Sequence, residues 1–176
     1  MVVTKSFCHG ECEKTHTKKD FIKVHDCLIN FYMNNGKYLI KNKFVAIADS
    51  NMVEGEKALI AEKDLPKSSI IFLYEAPSTT ERTRTSIQVS KDRHVEPGDF
   101  GAFANHSCSP NTQLIANFDD ETLITQVLMI TICPIKKGEE IVFDYATTET
   151  DVTKELQGKK CLCKSPNCRK TIYGFN

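Results

Sequence analysis

The sequence lacks any run of 18 apolar residues, which excludes a membrane-spanning helix. Met1 to Lys19 holds no apolar stretch of the kind a secretory leader needs, so the chain is expected to be intracellular. There is no internal repeat and no low-complexity segment. Net charge is also missing, with 23 Lys and Arg against 23 Asp and Glu. Hydrophobic residues make up 40% and charged residues 26%, a balance that excludes a disordered or collagen-like chain. At 176 residues the chain has the size of one domain with at most a small appendage, long enough to bury a core without disulfides.

The charge is unevenly placed. Residues 1–42 carry seven basic and four acidic side chains, residues 43–158 eleven and nineteen, and the last eighteen residues five and none. An acidic body argues against direct nucleic-acid binding and favours a cationic ligand, although a solvated acidic face explains the charge equally well.

Thr17 to Asp20 has the spacing of a capping box. Phe21, Val24, Leu28 and Tyr32 then recur at helical intervals before Asn34-Asn35-Gly36, which predicts an amphipathic helix over 18–33. From residue 38 the pattern changes to short β-type runs: 38–40, 44–48, 57–61, 69–75, 86–89, 112–117, 122–132 and 140–143. Gly and Pro punctuate these runs, and Asp119-Asp120 reads as a hairpin turn. Residues 78–86, rich in Thr and Arg, are the expected mobile loop. Residues 147–160 are a polar link to a C-terminal cysteine cluster. The expected domains are a helical appendage over 1–42, a mainly β body over 43–146 and a small metal knuckle over 155–176.

Eight cysteines without an export signal point to metal binding before disulfides. Cys161-x-Cys163-x4-Cys168 places three thiols where one short loop can wrap a tetrahedral Zn²⁺, and the surrounding lysines and arginine favour the thiolates. Free thiols or a disulfide are the plainer alternatives. A fourth ligand must come from elsewhere, and Cys108, in a polar turn-forming stretch, is the best candidate. Cys133, inside an apolar run, reads as a small buried hydrophobe. Cys8, Cys12 and Cys27, with His9, His16 and His25 nearby, match no zinc spacing.

Phe103-Ala-Asn-His-Ser-Cys-Ser-Pro-Asn111, Lys137-Gly-Glu-Glu-Ile-Val-Phe-Asp-Tyr145 and the cysteine tail together resemble the SET-domain protein lysine methyltransferases with a post-SET zinc segment. The resemblance runs from about Lys43 to Phe175. It implies a fold of several small curved β-sheets around a pseudoknot-like core, with S-adenosylmethionine as methyl donor and a structural zinc. Asn105 and His106 match the family's cofactor-contacting pair, and Cys108 matches the cysteine that joins Cys161, Cys163 and Cys168 on the metal. Tyr145 matches the catalytic tyrosine and Phe143 the position that tunes the number of methyl groups. Tyr74 resembles a second tyrosine of the lysine channel, and Leu162 falls where the family covers the adenine. The implied substrate is a lysine-bearing protein or peptide, histone tails being one candidate, with no direct nucleic-acid contact and no membrane expected.

Each residue also has an ordinary reading. Tyr145 and Phe143 suit any strand, and His106 alone is more often structural. The sequence also departs from the family. The family's Gly-x-Gly loop corresponds to Glu56 and Ala58, with Gly55 one place early, so cofactor contacts from Lys57, Ala58 and Leu59 are expected to be altered. A catalytically silent module that binds protein partners, or an enzyme acting on a small molecule, are the competing readings.

Overall fold

The computed structural model describes residues 36–150 and 158–174. The helix expected over 18–33 and the cysteines and histidines of residues 8–27 lie outside the described residues.

Among the described residues, ten strands form three sheets. The first sheet runs in the order β1 (Lys37–Lys41), β4 (Ile70–Pro77), β9 (Ile124–Thr131), β8 (Thr112–Phe118), all antiparallel. The second runs β2 (Val45–Asp49), β3 (Lys57–Ala61), β10 (Glu140–Phe143), β7 (Asn105–His106). A hairpin of β5 (Ile87–Ser90) and β6 (Arg93–Val95) makes the third. A short helix, Gly98–Ala102, leads into β7.

Strand formation follows side-chain alternation. In β9, Thr125, Val127, Met129 and Thr131 point inward while their neighbours are partly exposed, the period of two that a sheet with one covered face requires. Val127 and Met129 pack with Phe72, Ile71 and Leu59 in a core from which solvent is excluded. Each such side chain contributes about 1.5–3 kcal/mol by burial. β10 is different. All four of its residues are buried, because it lies between β3 and β7.

β1 pairs with β4, so the first sheet takes in Lys37–Lys41. Two expectations need correction. Cys133 is exposed, because inward alternation in β9 ends at Thr131 and the chain turns outward before Ile135 returns to the core. The segment 78–86 is tied down: Thr79 exchanges both backbone hydrogen bonds with His94 at 2.7 and 2.8 Å, and Thr85 Oγ1 donates to Glu96 at 2.9 Å.

Candidate active site and metal centre

The site is built on a parallel pairing. β7 lies beside β10 with Asn105 opposite Val142 and His106 opposite Phe143. The Ser107 N–H continues the pairing to the Phe143 carbonyl at 2.9 Å. Asn111 then grips the same strand: its amide donates to the Glu140 carbonyl at 2.7 Å and accepts from the Val142 N–H at 2.9 Å. Read from sequence, Asn111 is a turn residue. In the fold it holds two segments of chain together. The Asn105 amide donates to the Lys57 carbonyl at 3.1 Å and lies 3.4 Å from the buried Glu140 carboxylate, which also receives Ser50 Oγ and the Met52 N–H at 2.8 Å each. These bonds meet the needs of an otherwise costly buried carboxylate.

A cavity of about 250 Å³ opens beside this junction. Phe103, Ala104 and Asn105 line it with Phe143 and Tyr145, and Glu56, Lys57 and Arg84 to Ile87 line it as well. The Tyr145 hydroxyl donates to the Ala104 carbonyl at 3.2 Å, and its ring packs 4.9 Å from Phe143 and 5.2 Å from His106, centre to centre. Burial, only partly offset by the Arg84 charge, pushes the Tyr145 phenol up to about 12. It is therefore a neutral hydrogen-bonding group at physiological pH.

His106 links this cavity to the cysteines. Its Nδ1 accepts the Tyr145 N–H at 3.3 Å, and its Nε2 lies 3.3 Å from Cys108 Sγ. Burial, assisted by Arg169 and opposed by Asp144, lowers its pKa, so the ring is neutral and the acceptor role of Nδ1 assigns the proton to Nε2, facing the sulfur.

The sulfurs of Cys108, Cys161, Cys163 and Cys168 lie within 4.8 Å of one another, those of Cys108 and Cys161 at 3.8 Å. Tetrahedral zinc with bonds of about 2.3 Å puts its sulfurs about 3.8 Å apart, whereas a disulfide needs about 2.05 Å. All four cysteines are free. The Arg169 and Lys170 N–H groups point at Cys108 and Cys168 Sγ, both at 3.4 Å, as outer donors to ligating thiolates do. Burial pushes the Cys161 thiol up to about 12. At Cys163 burial acts in the same direction, but hydrogen bonds led by Ser165 outweigh it and bring that thiol down to about 5. The quartet fits Zn²⁺.

Arg169 completes the connection by a route the sequence does not advertise. Its guanidinium makes two bonds to Asp144, at 2.7 and 2.6 Å, a bidentate clamp between the knuckle and the residue preceding Tyr145. Burial works against the Asp144 charge, but Arg169 and the Ala146 N–H hold its carboxyl below the usual carboxylate range.

Not every expected residue reaches the cavity. Ala58 and Leu59 are fully buried within the second sheet, and the Leu59 N–H is taken by the Phe103 carbonyl at 3.2 Å. Of the altered loop, Glu56 and Lys57 line the cavity. Tyr74 packs 4.8 Å from the Tyr38 ring, away from the cavity. There it meets Gly98, whose φ of +71° and close approach to Tyr38 and Tyr74 leave no room for a side chain. Leu162 stands on the knuckle surface, 44% exposed.

The comparisons agree with this architecture. The sequence matches the SET domain over residues 3–146, so the match begins well before residue 43. It is 31% identical over 145 residues to histone-lysine N-methyltransferase Su(var)3-9 of Drosophila pseudoobscura pseudoobscura, covering 77% of this chain and 22% of that protein. It is 30% identical over 137 residues to an H3 lysine-36 specific histone-lysine N-methyltransferase of Candida albicans, covering 66% of this chain and 15% of that protein. The chain thus spans less than a quarter of the length of either relative. Among solved structures, KRYPTONITE in complex with mCHG DNA and SAH superposes with a TM-score of 0.59 at 21% identity, over 74% of this chain and 29% of that one. With strands β7 and β10 threaded in parallel beside the cavity and the sequence matched across both, the chain belongs to the SET-domain family.

Proposed function

We propose that the chain is an S-adenosylmethionine-dependent protein lysine N-methyltransferase whose post-SET knuckle holds one structural Zn²⁺ on Cys108, Cys161, Cys163 and Cys168. The observation that carries the reading is the Tyr145 hydroxyl, held on the Ala104 carbonyl at the wall of a cavity shared with Phe143 and Asn105. The methyl donor supplies an electrophilic methyl on a sulfonium.

The chain's residues supply position and exclusion of water. Phe143 and Tyr145 give the cavity an aromatic wall that disfavours a charged ammonium, so the substrate lysine enters as the neutral amine. The Tyr145 hydroxyl orients that amine in line with the methyl. It does not take the proton, because burial keeps the phenol protonated. Four thiolates leave the metal no open position, so its part is structural: through Arg169 and Asp144 it steadies the backbone that carries Tyr145. The acidic body suits a basic, lysine-rich tail, and histone H3 is the leading substrate because the similar relatives are named for it.

The test is incubation with labelled S-adenosylmethionine and histone substrates. Label on a lysine, strongly reduced with Tyr145→Phe, supports the reading; no transfer to any histone together with no cofactor binding rejects it. The second reading, a silent partner-binding module, has one observation in its favour, the Leu59 N–H of β3, which the Phe103 carbonyl already occupies.

The pH profile separates orientation from proton abstraction. Free lysine has a pKa of about 10.4, so its neutral fraction rises about tenfold per unit between pH 7 and 9. Single-turnover rates are expected to climb with that slope in the unmodified enzyme and, from a lower base, in Tyr145→Phe. An inflection below pH 9 that vanishes in the variant would assign the base role to Tyr145.

Phe143 bears on the product. An apolar ring here holds no water by a hydroxyl, so a methylated amine can turn in the channel without leaving a buried polar group unpaired. Di- or trimethyl-lysine is the expected product, and Phe143→Tyr is expected to shift it toward monomethyl-lysine, read by mass spectrometry. Monomethyl product alone from the unmodified enzyme, at long times with excess cofactor, rejects this.

A further inference from the structure

The cavity lining carries a charge pair that the mechanism above does not use. Arg84 Nη2 lies 3.9 Å from Glu56 Oε1, and both residues line the cavity. Both charges also act on the Tyr145 phenol, Arg84 lowering its pKa and Glu56 raising it, which places them within electrostatic reach of the reacting end. The pair spans two separate segments of chain, the residue before β3 and the loop before β5.

Glu56 stands where the family's first loop glycine falls. A glycine there lets backbone approach the amino-acid end of the methyl donor. Here that route is closed: the Lys57 carbonyl is held by Asn105, and the Leu59 N–H by Phe103. The other cation of the lining, Lys57, pairs with Asp49 at 2.6 Å. Arg84 and Glu56 remain, joined by a long and more than half-exposed contact that contributes little and separates easily.

We propose that Glu56 and Arg84 form the subsite for the zwitterionic end of the methyl donor. The Glu56 carboxylate takes the donor's ammonium and the Arg84 guanidinium takes its carboxylate. The two side chains exchange one weak contact with each other for two charge-assisted contacts with the ligand. Side-chain recognition thereby replaces the backbone recognition that the lost glycines would allow. The inference rests on the methyltransferase reading above.

Calorimetric titration with two probes tests it. S-Adenosylhomocysteine carries the amino-acid end; 5′-methylthioadenosine shares the nucleoside and thioether but lacks that end. Glu56→Gln and Arg84→Gln are each expected to weaken S-adenosylhomocysteine about tenfold, the scale of one charge-assisted bond, and to leave 5′-methylthioadenosine unchanged. Both side chains are more than half exposed, so the ligand-free melting temperature should not move. Unchanged affinity for S-adenosylhomocysteine in both variants overturns the subsite but leaves the methyl-donor reading standing. Equal losses for the two probes also overturn it, since the damage would then lie in the cavity at large. An unmodified protein that binds neither probe overturns the methyl-donor reading, and the subsite with it.

Discussion

Cys163→Ser is expected to unseat the whole knuckle while leaving the sheets folded. Cys163 is one of four sulfurs within 4.8 Å of one another, and residues 158–174 contain no regular helix or strand of their own. Among the described residues, the segment is held by isolated contacts: the Lys160–Thr171 bridge, the Cys161 N–H on the Lys170 carbonyl at 2.8 Å, and the Arg169–Asp144 clamp. Without a metal these must hold an irregular segment against its conformational entropy, about 1–2 kcal/mol per residue. Metal-coupled folding supplies stabilisation on the order of 10 kcal/mol in small zinc modules. Amide hydrogen exchange should therefore show near-complete loss of protection over 158–174, with β4 and β9 unchanged. Chelation of the unmodified protein should do the same. Methyl transfer should fall too, because release of Arg169 frees Asp144 beside Tyr145. Metal analysis finding no zinc in protein purified without chelator, or a knuckle that keeps its protection in the variant, would sink this account.

Tyr145→Phe is expected to cut turnover by about a hundredfold or more, the scale of misplacing a reacting group by an ångström, while cofactor affinity stays close to that of the unmodified protein. The substitution removes one hydrogen bond, to the Ala104 carbonyl, and keeps the ring that packs against Phe143 and His106. Stability should drop by about 1 kcal/mol, the ordinary worth of such a bond. Rapid-quench single-turnover measurements beside calorimetry separate the two effects. A variant that loses turnover and cofactor affinity in parallel would show Tyr145 to be a wall of the binding site and nothing more.

The strands were legible because most of them alternate or run apolar over four residues or more. β3 and β10 coincide with their predicted ranges for that reason. β7 was not legible: two residues, Asn and His, carry no periodicity, and only pairing with β10 makes them a strand. The cysteine quartet could be read because its chemistry is written in residue type and tail spacing. Cys133 misled because an apolar neighbourhood in sequence ends in an outward turn in space. The placement of Tyr74 follows from packing against Tyr38 and Gly98, contacts between residues far apart in the chain, and no local pattern announces them. The Arg169–Asp144 clamp escaped for the same reason, although a basic residue beside a candidate ligating cysteine is a signal worth pairing with the acid of the site motif.

The position of β10 has a consequence for synthesis on the ribosome. β2 and β3 can close as a hairpin once residue 61 has emerged, and β4 can follow. The second edge of β3 has no partner until Glu140 and Ile141 arrive to pair with Ile60 and Leu59. At about 5–20 residues per second, that leaves an unpaired apolar strand edge for roughly ten seconds of every round of translation. A chain released before residue 143 keeps that edge for good, and an open edge recruits the edges of other chains. Premature termination between the end of β3 and the arrival of β10 therefore yields sticky, aggregation-prone fragments.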